Sequence, residues 1–434
     1  MQDASKIKTY RVKLIAVLFV CMVVMGLDRS SISVAAPVIM DELDIAPTQM
    51  GLLLSAFFWS YTICNIPAGR LADRFGAKKV LGGAAAIWSV ASALTGGMPH
   101  LIGLMIARMG VGVGEAGVFP TMAKIAAEQF PGRERATATG CYLAGARLGY
   151  ALTPVVIGFL IAQFNWRLAF IVTGVGSLLF CLFWFFWYDE NEGRVIGKSV
   201  ESKVQMEKQP VPWLQLVTNR TILGLFVAKF GANYLYFMFL TWIPAYLVME
   251  RGFSVLEMGF YASLPFVVAF ITQPLTGFIS DFIIRKGFSK TIARKGVLVA
   301  AQALSATIIA VAFVEDPMIA MLILTINIAA ASTIGGMMQT MASEVSPLGM
   351  SATVTGAMNT VGAIAGVLAP TVTGLIVEMT GSFQMALVVA GGLIAIAAAI
   401  ILFVIQKIEP IKLNIKTVKK NNPEKIGCEI TESR

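Results

Sequence analysis

Hydrophobic positions along the chain fall into twelve long runs, at residues 14–38, 48–68, 79–98, 101–125, 136–162, 167–188, 221–248, 256–280, 296–314, 318–342, 352–377 and 383–406. A helix needs roughly 20 apolar residues to cross a bilayer, so each run predicts one crossing. The runs are continuous, whereas a membrane barrel strand alternates over about ten residues. The pattern predicts an all-α membrane protein with twelve transmembrane helices. Between the sixth and seventh runs the chain is polar and mixed in charge, with Glu190, Glu192, Arg194, Lys198, Glu201, Lys203, Glu207 and Lys208. That interruption predicts a six-helix bundle at 1–188, a cytoplasmic linker at 189–218, a second six-helix bundle at 219–410 and a disordered cytoplasmic tail at 411–434. The first run follows Lys6, Lys8, Arg11 and Lys13, as a secretory signal would, but it carries Asp28 and Arg29 in its middle. It is also longer than the roughly 7–15-residue core of a signal, so it is read as a retained helix.

Loop charge orients these helices. With the N-terminus in the cytoplasm, one set of loops holds Arg70, Arg74, Lys78, Lys79, Arg133, Arg135, Arg285, Lys286, Lys290, Arg294 and Lys295. The other set holds Asp41, Glu42, Asp44, Glu250, Glu257, Glu315, Asp316 and Glu378, with only Arg167 and Arg251 as cations. The bias predicts a multi-pass protein of the inner, cytoplasmic membrane with both termini cytoplasmic.

The two halves also share a pattern. Glu128, Pro131, Ala136, Thr137, Thr139, Gly140, Pro154 and Gly158 recur as Glu344, Pro347, Ala352, Thr353, Thr355, Gly356, Pro370 and Gly374, at a constant offset of 344 − 128 = 216. A second shared element is Gly69-Arg70-Leu71-Ala72-Asp73-Arg74-Phe75-Gly76 after run 2, matched by Gly277-Phe278-Ile279-Ser280-Asp281 and then Arg285 after run 8. Parallel repeats of six spans imply two bundles that enclose a midplane site and rock about it. Asp73 can sit against a helix N-terminus with cations beside it, which would latch the cytoplasmic side. Gly69 would let helices approach, and Gly76 suits a tight turn.

Gly69–Lys79 resembles the loop signature of the major facilitator superfamily (G-x-L-A-D-R-x-G-x-K/R), and the span and repeat layout agree over nearly the whole chain. The resemblance implies that superfamily's fold, a secondary transporter, and gating roles for Gly69, Asp73, Arg74, Asp281 and Arg285.

Composition removes the other classes. Of 434 residues 57% are apolar and 14% charged, against about a quarter charged in soluble domains. One histidine and five cysteines argue against a metal centre or a disulfide scaffold. The net charge of +9 is loop charge, without the stacking platform of a nucleic-acid binder. Gly110-Val111-Gly112-Val113-Gly114 has no strand before it and no Lys-Ser/Thr after it, so it is no nucleotide loop. No nucleophile–base pair points to an enzyme. No cofactor or metal is expected. The bilayer is an expected partner, with the protein a monomer.

Charges at membrane depth cost several kcal/mol unless paired or hydrated, so they are candidates for function. They are Asp28 and Arg29 on span 1, Arg108 and Glu115 on span 4, Arg147 on span 5 and Lys229 on span 7. Asp28 and Arg29 point about 100° apart and cannot pair well with each other. Arg108 and Glu115, seven apart, share a face. Counting turns puts Arg108 level with Asp28, which predicts an Asp28–Arg108 ion pair. Glu115 is then left without a fixed cation, as the first candidate to carry a proton, with Asp28 second.

The Asp28–Arg29 pair resembles the anion:cation symporter branch of the superfamily. So do Glu115-Ala116 with Phe119-Pro120, and Asn233-Tyr234 with Leu240-Thr241-Trp242-Ile243-Pro244. The branch includes bacterial sugar-acid transporters and the sialic acid and vesicular glutamate carriers. The resemblance implies proton-coupled symport of an organic anion by alternating access, which adds a small organic anion and protons as partners. It implies that Arg29 contacts a substrate carboxylate, that Asp28 and Glu115 carry protons, and that Tyr61, Asn233 and Asn359 are polar contacts. Gly26 and Ala146 stand where many sugar-acid members carry a tyrosine and a glutamine, and Arg147 stands where an apolar residue is usual. These departures favour a more compact or doubly anionic acid, with Arg147 and Lys229 as further substrate cations. For Arg147, pairing with Asp28 or Glu115 is the competing expectation. An organic anion or organophosphate exchanger on the same fold is the alternative function.

Overall fold

The computed structural model describes residues 2–190, 213–347, 350–405 and 407–411. Twelve long helices run in chain order: α1 (Gln2–Leu43), α2 (Pro47–Phe75), α3 (Ala77–Thr95), α4 (Leu101–Gln129), α5 (Gly132–Gln163), α6 (Trp166–Trp187), α7 (Arg220–Met249), α8 (Val255–Arg285), α9 (Lys290–Phe313), α10 (Pro317–Val345), α11 (Ser351–Thr380) and α12 (Gln384–Phe403). A bend at Ala116–Gly117 interrupts α4, and α9 finishes as a 3-10 turn from Thr307. Eleven of the helices are long and apolar enough to cross a membrane by length and composition. The twelfth is α3, whose 19 residues include Lys78 and Lys79 in the first turn. It packs against α4 and α6 like its neighbours.

Several helices extend beyond the apolar runs, because polar turns at the membrane edge continue the same backbone hydrogen bonding. The expected linker is partly helical, at Trp213–Thr218. Its residues 191–212, and the tail from 412 onward, lie outside the described residues.

Helices α1–α6 form one bundle and α7–α12 a second. They meet through α2 on α11, α5 on α8 and α1 on α7. Contact is tightest on the side away from the chain ends, called the far side here. A Cβ on Gly51 of α2 would lie 2.5 Å from the Pro370 carbonyl oxygen of α11. A Cβ on Gly259 of α8 would lie 2.6 Å from the Pro154 carbonyl oxygen of α5. Only glycine allows backbones this close. Thr48 N–H donates to Glu378 across the same seam at 3.0 Å. Deeper in, the Phe58 ring meets Phe237 of α7 edge-on, with centroids 4.6 Å apart. Toward the terminal side the bundles diverge. The repeat mates Gly140 and Gly356 are exposed and meet nothing within 4 Å. The molecule is closed on the far side and open on the side that bears its ends.

Replacing Gly51 with alanine is expected to part the bundles on the far side, because the nearest atom is backbone and cannot rotate away. Spin labels on exposed Asp41 and Met379 should then report a longer distance than in the parent protein. An unchanged distribution would mean that this contact does not hold the far side shut.

Candidate functional site

The site begins at the middle of α1. Adjacent residues on a helix diverge by about 100°, so Asp28 and Arg29 face different neighbours. Asp28 turns toward α3 and α6 and is 1% exposed. Its carboxylate accepts from Ser92 at 2.8 Å and from Ser177. Arg29 turns toward α2 and α4. Its Nε donates to Glu115 Oε2 at 2.7 Å, and Nη2 lies 2.6 Å from the same oxygen. Glu115 is 0% exposed, so this pair is removed from solvent. The other oxygen, Glu115 Oε1, is buried with no hydrogen-bond partner among the described residues. Aromatic rings clamp the guanidinium, Phe57 at 4.7 Å and Tyr61 at 5.0 Å from ring centroid to Cζ. Such contacts favour a cation and restrict where it can swing.

The expected Asp28–Arg108 ion pair is corrected. Arg108, 2% exposed, donates to the backbone carbonyls of Asp28 at 3.3 Å and of Arg29 at 3.0 Å. The level was right and the acceptor was wrong, since Asp28 points away from α4 and its carboxylate is taken by two hydroxyls. Glu115 is therefore not left without a cation, because the long Arg29 side chain reaches one helix over to it. Arg108 pins the α1 backbone that carries both residues.

Arg147 pairs with neither acid. It donates to the Tyr236 hydroxyl across the bundle boundary, and its guanidinium lies 5.1 Å from that ring's centroid. Tyr236 also packs on the Phe237 ring, which meets Phe58 of α2 beside the Phe57 ring that lies on Arg29. Lys229 packs against α11, with Cε 3.0 Å from where a Gly362 Cβ would sit. Asn233 is one turn further along α7, its Nδ2 2.5 Å from the same point. Asn359, three residues before Gly362, is exposed. Arg29, Tyr61, Arg147, Lys229 and Asn233 thus gather about one central region between the bundles, with Asn359 at its open end.

Several participants were not singled out from sequence. Ser92 and Ser177 are ordinary small helix residues by composition. Tyr236 lies three residues after Asn233 and so shares its face, but aromatic residues on α7 read as packing. Among the described residues, no group of three His, Cys, Asp or Glu could hold a metal ion.

The loop elements also differ from expectation. Asp73 is exposed, and the acid at the α3 N-terminus is Glu190, which accepts from the Lys78 N–H at 2.6 Å. Gly76 has φ +88°, as its turn requires. Gly69 is no close approach, since a Cβ there would meet Pro120 at an ordinary 3.6 Å. Lys124 donates to the Ala72 carbonyl at 2.7 Å and ties α4 to the end of α2. Arg70 and Arg74 are exposed. In the second bundle the cation on Asp281 is Arg294, at 2.9 Å, which also reaches Glu344 at 3.4 Å. Arg285 is exposed.

A family model described as Major Facilitator Superfamily matches residues 18–370. The chain belongs to the Major Facilitator Superfamily. It is therefore a multi-pass membrane transporter and not an enzyme. It is 33% identical over 399 residues to the "Hexuronate transporter" of Bacillus subtilis (strain 168), covering 91% of this chain and 94% of that one. It is 30% identical over 444 residues to the "Probable galactarate/D-glucarate transporter GudP" of the same organism, covering 97% of each. These relatives agree with the sugar-acid branch that the sequence resembles. A crystal structure of a bacterial homologue of the human lysosomal transporter Spinster shares the fold, with TM-score 0.77 and 19% identity over 90% of this chain and 96% of that one.

Removing one partner of a buried ion pair leaves an uncompensated charge, at a cost of about 3–5 kcal/mol. Glu115→Ala is therefore expected to melt well below the parent protein in detergent. Glu115→Gln, which can still accept from Arg29, should lose distinctly less. Equal melting of Glu115→Ala and parent would show that the pair does not support the folded state.

Proposed function

We propose that this protein imports a small organic acid anion together with protons, by alternating access. Relatives named for hexuronate and for galactarate and glucarate support an acid as cargo. The observation that carries the coupling is that Arg29 is held by the same carboxylate that would have to release it. An anion arriving at Arg29 competes with Glu115 for one guanidinium. A carboxylate stripped of its cation in a buried site is costly, and a proton removes that cost. Binding of the anion and protonation of Glu115 then favour each other. Asp28, held by two hydroxyls behind α1, is the second proton carrier and is linked to the first through the backbone that Arg108 grips.

Arg29, Tyr61, Arg147, Lys229, Asn233 and Asn359 are the proposed contacts to the anion. By the loop-charge bias, both termini face the cytoplasm of a bacterial inner membrane, so the open side is the cytoplasmic one. Asp73, Arg74 and Gly69 in the first bundle, and Asp281 and Arg285 in the second, line the loops that must approach one another when that side shuts. Closure there, with separation of the α2–α11 and α5–α8 contacts, would present the site to the outside.

Adding a transported acid outside proteoliposomes should acidify a trapped pH dye. With Glu115→Gln the acidification and the gradient-driven accumulation should be lost, while exchange of labelled for unlabelled acid persists. If Glu115→Gln still concentrates the acid against its gradient, the proton does not travel on this carboxyl.

A further inference from the structure

The transport reading leaves the charge of the cargo open, since the relatives' names include a mono-acid, hexuronate, and diacids. We propose that the central site is built for a dianion, with one anionic group at Arg29 and the other at a second cationic pole formed by Arg147 of α5 and Lys229 of α7. This inference rests on that reading and adds the charge class of the cargo.

The argument is a balance of charges at membrane depth, where each unpaired one is expensive. Around α1 and α4 the balance closes. Glu115 answers Arg29 directly. Asp28 and Arg108 meet within the same turn of α1, one through hydroxyls and the other through carbonyls. Arg147 and Lys229 add two cations, and no carboxylate pairs with either among the described residues. The partners of Arg147 are the hydroxyl and ring of Tyr236, which carry no charge. Lys229 lies on α7 seven residues, or two turns, before Tyr236, the side chain that Arg147 contacts, so both cations face the same side of α7. Two like charges brought together from opposite bundles therefore lack a counter-charge that the protein could supply. An anionic group lying between them supplies it.

The rest of the site agrees with a second anionic pole. A mono-acid seated on Arg29 would leave Arg147 and Lys229 uncompensated. A diacid brings one anionic group for Arg29, in place of Glu115, and a second for Arg147 and Lys229. Arg147 and Lys229 sit on α5 and α7, which belong to different bundles. Neutralising them removes a repulsion that works against approach of the bundles, so the second group would also favour the closed, loaded carrier. The planar fork of an arginine suits a carboxylate or sulfonate there.

The test is counterflow in proteoliposomes with acids paired on the same carbon skeleton, galactarate against galactonate and succinate against butyrate. The parent protein is expected to half-saturate at least about tenfold lower for the diacid of a transported pair. Arg147→Gln and Lys229→Gln should each bring that ratio toward one, whereas Arg147→Lys keeps much of it. Equal half-saturation for diacid and mono-acid in the parent protein overturns the inference and leaves the transport reading standing. So does a diacid preference that survives both glutamine substitutions. If no acid of either kind is carried, the transport reading fails and this inference with it. The ratio in the parent protein decides the matter even if a variant does not fold.

Discussion

An arginine in the middle of a membrane helix must be answered by something, and for Arg29 the answer is Glu115. The consequences reach further than one ion pair. The pair needs α1 and α4 at a fixed separation, and Arg108 sets it by holding the α1 carbonyls of Asp28 and Arg29 from the same face of α4. The rings of Phe57 and Tyr61 bring α2 to the same guanidinium. Asp28, forced to the opposite side of α1, draws Ser92 of α3 and Ser177 of α6 to itself. Five helices of the first bundle are thus organised about two adjacent residues.

The second bundle is arranged otherwise. Among the described residues its cation at the central region is Lys229, and its polar contribution comes from Asn233, Tyr236 and Asn359 on α7 and α11. The acids of this bundle lie toward the loops, where Arg294 gathers Asp281 and Glu344. The two halves share a backbone plan but divide the chemistry, with the buried acids Asp28 and Glu115 in one and, among the described residues, neutral or cationic side chains at the central region of the other. Such a division suits a carrier whose cargo lies between two bodies that rock. The far-side contacts at Gly51 and Gly259 are backbone against backbone. They set how closely the bundles can approach there, and the Glu378 carboxylate on the Thr48 N–H is the charge-assisted contact that must break to part them.

Much of this was legible in the sequence, and the gaps have a physical origin. The twelve helices follow from hydrophobic run length, and the pairing of the halves from residues such as Gly140 and Gly356 at a fixed offset. The buried charges were legible because an ionisable residue in an apolar run stands out. Their partners were not. Turn counting placed Arg108 level with Asp28, but it could not say which side of α1 faces α4, and so it chose the carboxylate where the backbone was the acceptor. It also treated side chains as points, whereas the reach of Arg29 spans the turn that separates it from Glu115. Ser92 and Ser177 left no signal, since serines in a membrane helix usually bond their own backbone. Asp73 shows the limit of a motif. The pattern expects an acid at the α3 N-terminus, and in this open state Glu190, from the end of the first bundle, fills that place.

The central claim is that anion and proton are linked because both act on one ion pair, and it can be tested without transport. Purified protein in weakly buffered detergent solution near neutral pH, titrated with a transported acid, should take up protons as the acid binds. The uptake should vanish in Glu115→Gln while the acid still binds. Binding of the acid to the parent protein with no change in bound protons would contradict the account, for then the anion would not displace Glu115 from Arg29.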